Sequence, residues 1–372
     1  MKKVFSVLLA TAMTASVAAC GSSNSASTTA AAADTTAAAK TETTAAAGET
    51  TAAAAENKKI DKLSIAYVPS REPQEIIQAT EPLKELLTKE MAGLGYDIGS
   101  VDISVGTSFD AVGQALVAGT TDIGVIPGST YVLYDEGADF ILTPTRKGIT
   151  NDSDSAKDWN DNKPTEATDK EVTSYRALMI AGPSETGRAL AAKVNNGEEL
   201  TWDDINGANW SIMSSTSPAG YVYPSLWLSK NYGHNITELA HAVQSDSYGS
   251  AFARLASGQI DVLCTYADAR RDYEEKWQSE YAMTNSIWDD TDVIGVTPAI
   301  YNDTISVSKN SKIMDDDFKA ALQEAFINIG NSEEGKPVIA IYSHDGYQKA
   351  QASDYDSERD AQKMLQEMEA SK

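Results

Sequence analysis

Leu63-Ser64-Ile65-Ala66-Tyr67-Val68 is a short run of apolar and β-forming residues that Pro69-Ser70 ends, and it reads as a strand. Apolar residues at helical spacing follow over 75–91, with Ile76, Ile77, Leu83, Leu86 and Leu87 on one side. Residues 101–105 read as the next strand, Gly106-Thr107-Ser108 as a turn, 109–118 as a helix and 122–126 as a third strand. Strands separated by helices imply an α/β fold with a parallel sheet that binds ligands at the carboxyl ends of its strands.

The pattern repeats further along. Residues 175–181 read as a strand that crosses into a second body. There, 210–213 is a strand, 214–220 a loop, 221–232 and 248–256 helices, 260–265 a strand and 267–277 a helix. An extended return over 293–307, broken at Pro298, supplies a second crossing, and helices over 318–329 and 360–369 close the chain. A folded part of roughly 310 residues is large for one core and suits two lobes. We expect 59–178 with 300–372 as lobe 1 and 179–299 as lobe 2. Between 150 and 172 the chain turns acidic, with Asp152, Asp154, Asp158 and Asp161 close together. The Gly and terminal Glu of a calcium loop are not in register, so this stretch reads as a solvated insertion.

Ahead of this body, Met1-Lys2-Lys3 is positively charged, and 4–19 is apolar or small throughout but too short to span a bilayer. It ends in Val17-Ala18-Ala19-Cys20, which looks like a bacterial lipobox. The expectation is a signal peptide over 1–19 and a lipidated Cys20 on the extracytoplasmic face of the cell membrane. A plain signal peptide with an incidental cysteine is the alternative. From 20 to 58 the chain is mostly Ala, Thr, Ser, Gly and acidic residues, which reads as a disordered stalk, with an Ala-rich helix as the competing form.

With Cys20 lipidated, Cys264 has no partner, and its apolar surroundings suggest a buried free thiol. His234, His241 and His344 lack ligand spacing, so no metal and no cofactor is expected. A net charge of −24 argues against nucleic acid as a partner. Any bound anion must then be held by local dipoles against the overall field.

Ser214-Ser215-Thr216-Ser217-Pro218-Ala219-Gly220-Tyr221 places several hydroxyls between a strand and a helix start. Such a cluster can donate hydrogen bonds to an oxyanion, or simply cap the helix. The chain resembles the phosphate, phosphite and phosphonate family of ABC-transporter substrate-binding proteins. The resemblance rests on Tyr67-Val68-Pro69-Ser70, Asp122-Ile123-Gly124, the Ser-Thr-Ser loop with Gly220-Tyr221 and Pro224, and Gly258-Gln259-Ile260-Asp261-Val262.

That resemblance implies the two-lobed, type II periplasmic-binding-protein fold with two hinge crossings. It implies a hydroxyl grip on a phosphorus oxyanion from Ser215, Thr216 and Ser217, an aromatic contact from Phe109, and carboxylates for a ligand amine or hydroxyl at Asp268 and Asp303. The implied partners are a small phosphorus-containing oxyanion and an ABC permease with its ATPase, with the receptor itself a lipid-anchored monomer. Two positions depart from the pattern. Tyr248 stands where relatives often have His, and Ile126-Pro127-Gly128 where some have an aromatic. A serine nucleophile lacks an obvious histidine base, so no enzyme activity is expected. A receptor that presents its ligand to a membrane sensor, or an importer of another small organic solute, stays open as an alternative.

Overall fold

The computed structural model describes residues 56–370. Cys20, the signal segment and nearly all of the stalk lie outside the described residues. Among those residues no helix is long and apolar enough to cross a membrane.

Two large sheets organise the molecule. The first runs in the order Gly346–Gln348, Ala138–Ile149, Thr304–Ser308, Ile123–Ile126, Leu63–Tyr67, Val101–Val105, with Ala167–Val172 also paired to Ala138–Ile149. The second runs Ala242–Gln244, Trp210–Ile212, Val262–Tyr266, Ser174–Ala181, Asp292–Tyr301. Lys58–Ile60 pairs with Tyr96–Ile98 at the margin, so ordered pairing begins at the last stalk residue.

Only part of each sheet is parallel. Leu63–Tyr67 runs parallel to both Val101–Val105 and Ile123–Ile126, and Trp210–Ile212 runs parallel to Ala242–Gln244 and Val262–Tyr266. The remaining ladders are antiparallel, because the chain leaves the first sheet after Val172 and returns to it at Thr304 in the opposite sense. Ser174–Ala181 and Asp292–Tyr301 pair with each other along this double passage. The two hinge crossings are therefore adjacent strands of one ladder.

Local chemistry sets the element ends. The apolar stripe over 75–91 is two helices, Pro73–Thr80 and Leu83–Gly93, since Pro82 cannot continue the first. Ser108 caps Phe109–Ala118 by accepting from the Ala111 N–H at 3.1 Å, and Gly119 ends it in the left-handed region at φ 68°. The acidic insertion is ordered rather than merely solvated: Ala156–Asp161 is helical, and Trp159 is buried with its indole N–H donated to the Ser153 carbonyl at 2.9 Å. Leu63, Ile65, Leu116 and Ile123 are fully buried in the first core, each worth about 1.5–3 kcal/mol.

The helix Asp356–Ala370 is pinned by one carboxylate. Glu358 is fully buried and accepts from the Tyr223 hydroxyl at 2.6 Å and the Tyr301 N–H at 3.1 Å. Burial raises its pKa from 4.5 to about 7, outweighing both hydrogen bonds. Between those values the folded chain holds a proton that the unfolded chain has released, so stability falls as pH rises through the window and is level above it. Glu358→Gln should therefore gain on the wild type from pH 4.5 to 7, by about 3 kcal/mol in all, in thermal denaturation. A difference independent of pH would contradict this.

Candidate functional site

The carboxyl ends of the parallel strands from both sheets converge on one cleft. Ser70 and Arg71 follow Leu63–Tyr67, Phe109 follows Val101–Val105, and Pro127 follows Ile123–Ile126. From the second sheet come Ser217 after Trp210–Ile212, Tyr248 after Ala242–Gln244, and Tyr266 at the end of its own strand. With Arg146, Tyr175, Asp303 and Tyr342 they enclose a cavity of about 40 Å³. Strand-end placement is the general ligand position in open α/β sheets.

Serine caps present two of the aromatic groups. Phe109 and Tyr248 are each the first residue of a helix, behind Ser108 and Ser247. The Ser217 hydroxyl accepts from the Gly220 N–H at 3.3 Å and lies 3.4 Å from the Tyr248 hydroxyl. Ser217 thus caps the π-helical turn Pro218–Val222 and lines the cavity at once. Burial pushes the Tyr248 phenol well up, so it remains a neutral donor.

The other residues singled out by the sequence are placed differently. Ser215 is exposed. Thr216 joins the two lobes: its hydroxyl donates to Asp110 at 3.2 Å, and its carbonyl accepts from Ser129 at 3.0 Å and Thr130 at 3.2 Å. Asp268 borders a larger outer chamber, but its carboxylate is taken by the fully buried Arg270 at 2.8 and 2.9 Å and by the Thr165 hydroxyl at 3.1 Å. Asp303 reaches the cavity and accepts from His344 Nε2 at 3.1 Å, with Arg146 Nη2 3.6 Å away. Burial works to raise the Asp303 carboxyl, but His344 and Arg146 outweigh it and hold it below the ordinary range. His344 is fully buried, which lowers its pKa and keeps it neutral near pH 7.

Two arginines change the electrostatic picture drawn from net charge. Arg71 crosses the cleft, donating to the Tyr266 hydroxyl and to Asp272 at 2.6 Å, its guanidinium 4.9 Å from the centre of the Tyr266 ring. Arg146 stands 4.3 Å from the centre of the Tyr175 ring. Local dipoles are therefore joined by two cationic groups at the cavity wall. The Arg71 signal in the sequence is an arginine that follows the Pro69-Ser70 break after the first strand. Arg146 lies in Ala138–Ile149, a strand the periodicity did not reveal. Cys264 is a free, fully buried thiol whose pKa burial raises strongly.

Breaking the Asp268–Arg270 pair should separate structure from binding. Asp268→Asn is expected to lower unfolding stability by about 3–5 kcal/mol while leaving the affinity of the folded protein for a ligand of the inner cavity unchanged. Chemical denaturation and titration calorimetry of the same variant test both halves.

The family model described as "ABC transporter, phosphonate, periplasmic substrate-binding protein" matches residues 65–355. Curated protein sequences yield no match. Among solved structures, the fold is similar to the binding-protein component of an ABC phosphonate transporter from Pseudomonas aeruginosa, at TM-score 0.59 and 15% identity, over 82% of this chain and 87% of that one. It is similar to PhnD1 from Prochlorococcus marinus in complex with methylphosphonate, at TM-score 0.56 and 15% identity, over 82% of this chain and 98% of the other. A Xanthomonas citri protein bound to ATP shares the fold at TM-score 0.58 and 12% identity, over 84% and 99%. With its two sheets, two adjacent crossings and a family match over most of its length, the chain belongs to the phosphonate family of periplasmic substrate-binding proteins of ABC transporters.

Proposed function

We propose that this protein captures a small phosphonate or related phosphorus oxyanion between its lobes and hands it, chemically unchanged, to an ABC permease driven by an ATPase. The observation that carries this reading is the cavity itself. It is lined by hydroxyl donors, Ser217 and Tyr248, on one side and by guanidinium groups on the other, at the strand ends of both sheets. Tetrahedral oxyanions are well served by such convergent donors.

Transport without chemistry fits the groups present. The polar neighbour of Ser217 is a phenol rather than an imidazole, so its hydroxyl has no base to activate it. Contacts between the lobes are made by Arg71, Glu72, Glu75 and Thr216, and a ligand touching both lobes adds to them, favouring the closed form. We take 59–178 with 300–372 as one lobe and 179–299 as the other. Attachment through a lipid on Cys20, with residues 20–58 as the tether of a monomeric receptor, rests on the sequence Val17-Ala18-Ala19-Cys20.

Titration calorimetry with methylphosphonate, phosphite, phosphate, sulfate and glycine tests the ligand class. Binding to at least one phosphorus oxyanion, with silence toward glycine, is expected, and the reverse pattern would refute the reading. Ser217→Ala should weaken the preferred oxyanion by about 1–3 kcal/mol, as for loss of a buried hydrogen bond. Unchanged affinity would leave that hydroxyl with its capping role alone.

A further inference from the structure

Three carboxylates at the cleft, Asp268, Asp272 and Asp303, already have cationic neighbours. Asp268 is held by Arg270, and Asp272 accepts from Arg71 Nη2 at 2.6 Å and from the Tyr266 hydroxyl at 2.8 Å. Asp303 has His344 at hydrogen-bond distance and Arg146 at 3.6 Å. An ammonium group brought to Asp303 would therefore meet a guanidinium on the same carboxylate. Like charges at such range, in a site shielded from water, repel strongly.

Arg146 itself is less well satisfied than Asp303. Its side chain is 11% exposed, its Nη2 stands beyond hydrogen-bond distance of Asp303, and its Nε is buried with no hydrogen-bond partner. A buried, unpaired N–H on a charged group is costly, and an acceptor supplied by a ligand relieves that cost. Its position adds a direction. Arg146, Tyr266 and Ser343 border both the small inner cavity and the outer chamber of about 630 Å³. A ligand whose oxyanion sits beside Ser217 and Tyr248 and whose substituent extends toward the outer chamber passes these three residues.

We propose that Arg146 is a specificity-determining residue, which selects phosphonates with a neutral or carboxylate-bearing substituent and rejects those carrying an amine. The inference rests on the phosphonate reading of the same cavity and adds the class of substituent. The amine role expected of Asp303 from the sequence is replaced by one in which Asp303 and His344 hold the Arg146 end of the cavity in place.

Calorimetry on the full chain in detergent, with methylphosphonate, phosphonoacetate and 2-aminoethylphosphonate as probes, decides the matter. Phosphonoacetate should bind at least as tightly as methylphosphonate, and 2-aminoethylphosphonate at least about ten-fold more weakly. Arg146→Gln should cost phosphonoacetate about ten-fold more than methylphosphonate and narrow the gap to the amine, with Arg146→Lys intermediate. Binding of the amine as tightly as methylphosphonate overturns the inference and leaves the phosphonate function standing. An unchanged ranking in a folded Arg146→Gln protein overturns it as well. Silence toward all three probes removes the phosphonate reading and the inference together. Should Arg146→Gln not fold, the wild-type ranking decides alone.

Discussion

Arg71 is the contact on which the cleft depends. It stands in the turn beyond Leu63–Tyr67, an inner strand of the first sheet, and is received by Tyr266 and Asp272 of the second, under the face of the Tyr266 ring. A buried guanidinium needs several partners at once, and here the partners belong to the opposite lobe. Glu72 reaching Ser247 and Glu75 reaching Lys276 extend the same clasp. One short segment at the start of the helix Pro73–Thr80 therefore determines whether Ser217, Tyr248 and Asp303 face a common cavity or are drawn apart.

The clasp also resolves the tension between a strongly acidic protein and an anionic ligand. Surface charge acts through water and salt, whereas the guanidinium groups act at contact distance inside a shielded space. Their carboxylate partners keep them from being isolated charges, and the residual imbalance lies at Arg146. Binding is thus a local matter, and the −24 overall charge bears on solubility and approach rather than on grip.

Much of this architecture was legible in the chain. Leu63–Tyr67, Phe109–Ala118 and Tyr248–Ala256 fall where apolar periodicity and serine caps place them, because each presents a buried face of the right period. Ala138–Ile149 was not legible: Pro144 and Gly148 interrupt it, and its charged end breaks the alternation, so pairing with both neighbours defines it rather than its own pattern. Within the site, Phe109, Ser217, Tyr248 and Asp303 come to the cavity, since each stands at or near a strand end. Asp268 stands beside a strand end too, but Arg270, two residues on, folds back to it, a pairing that spacing alone does not distinguish from an open carboxylate. Arg71 and Arg146 look like ordinary surface cations until tertiary folding brings Tyr266, Asp272 and Asp303 around them.

The buried thiol of Cys264 has a use of its own. It sits in the middle of a strand with neighbours on both sides, fully covered and protonated, so reagents in solution reach it only when that ladder opens. Its rate of modification is then a native clock for sub-global opening of the second sheet, readable without a label or a mutation. Reagents aimed at cysteines introduced on the surface of this body would find little competition from it while the sheet stays intact.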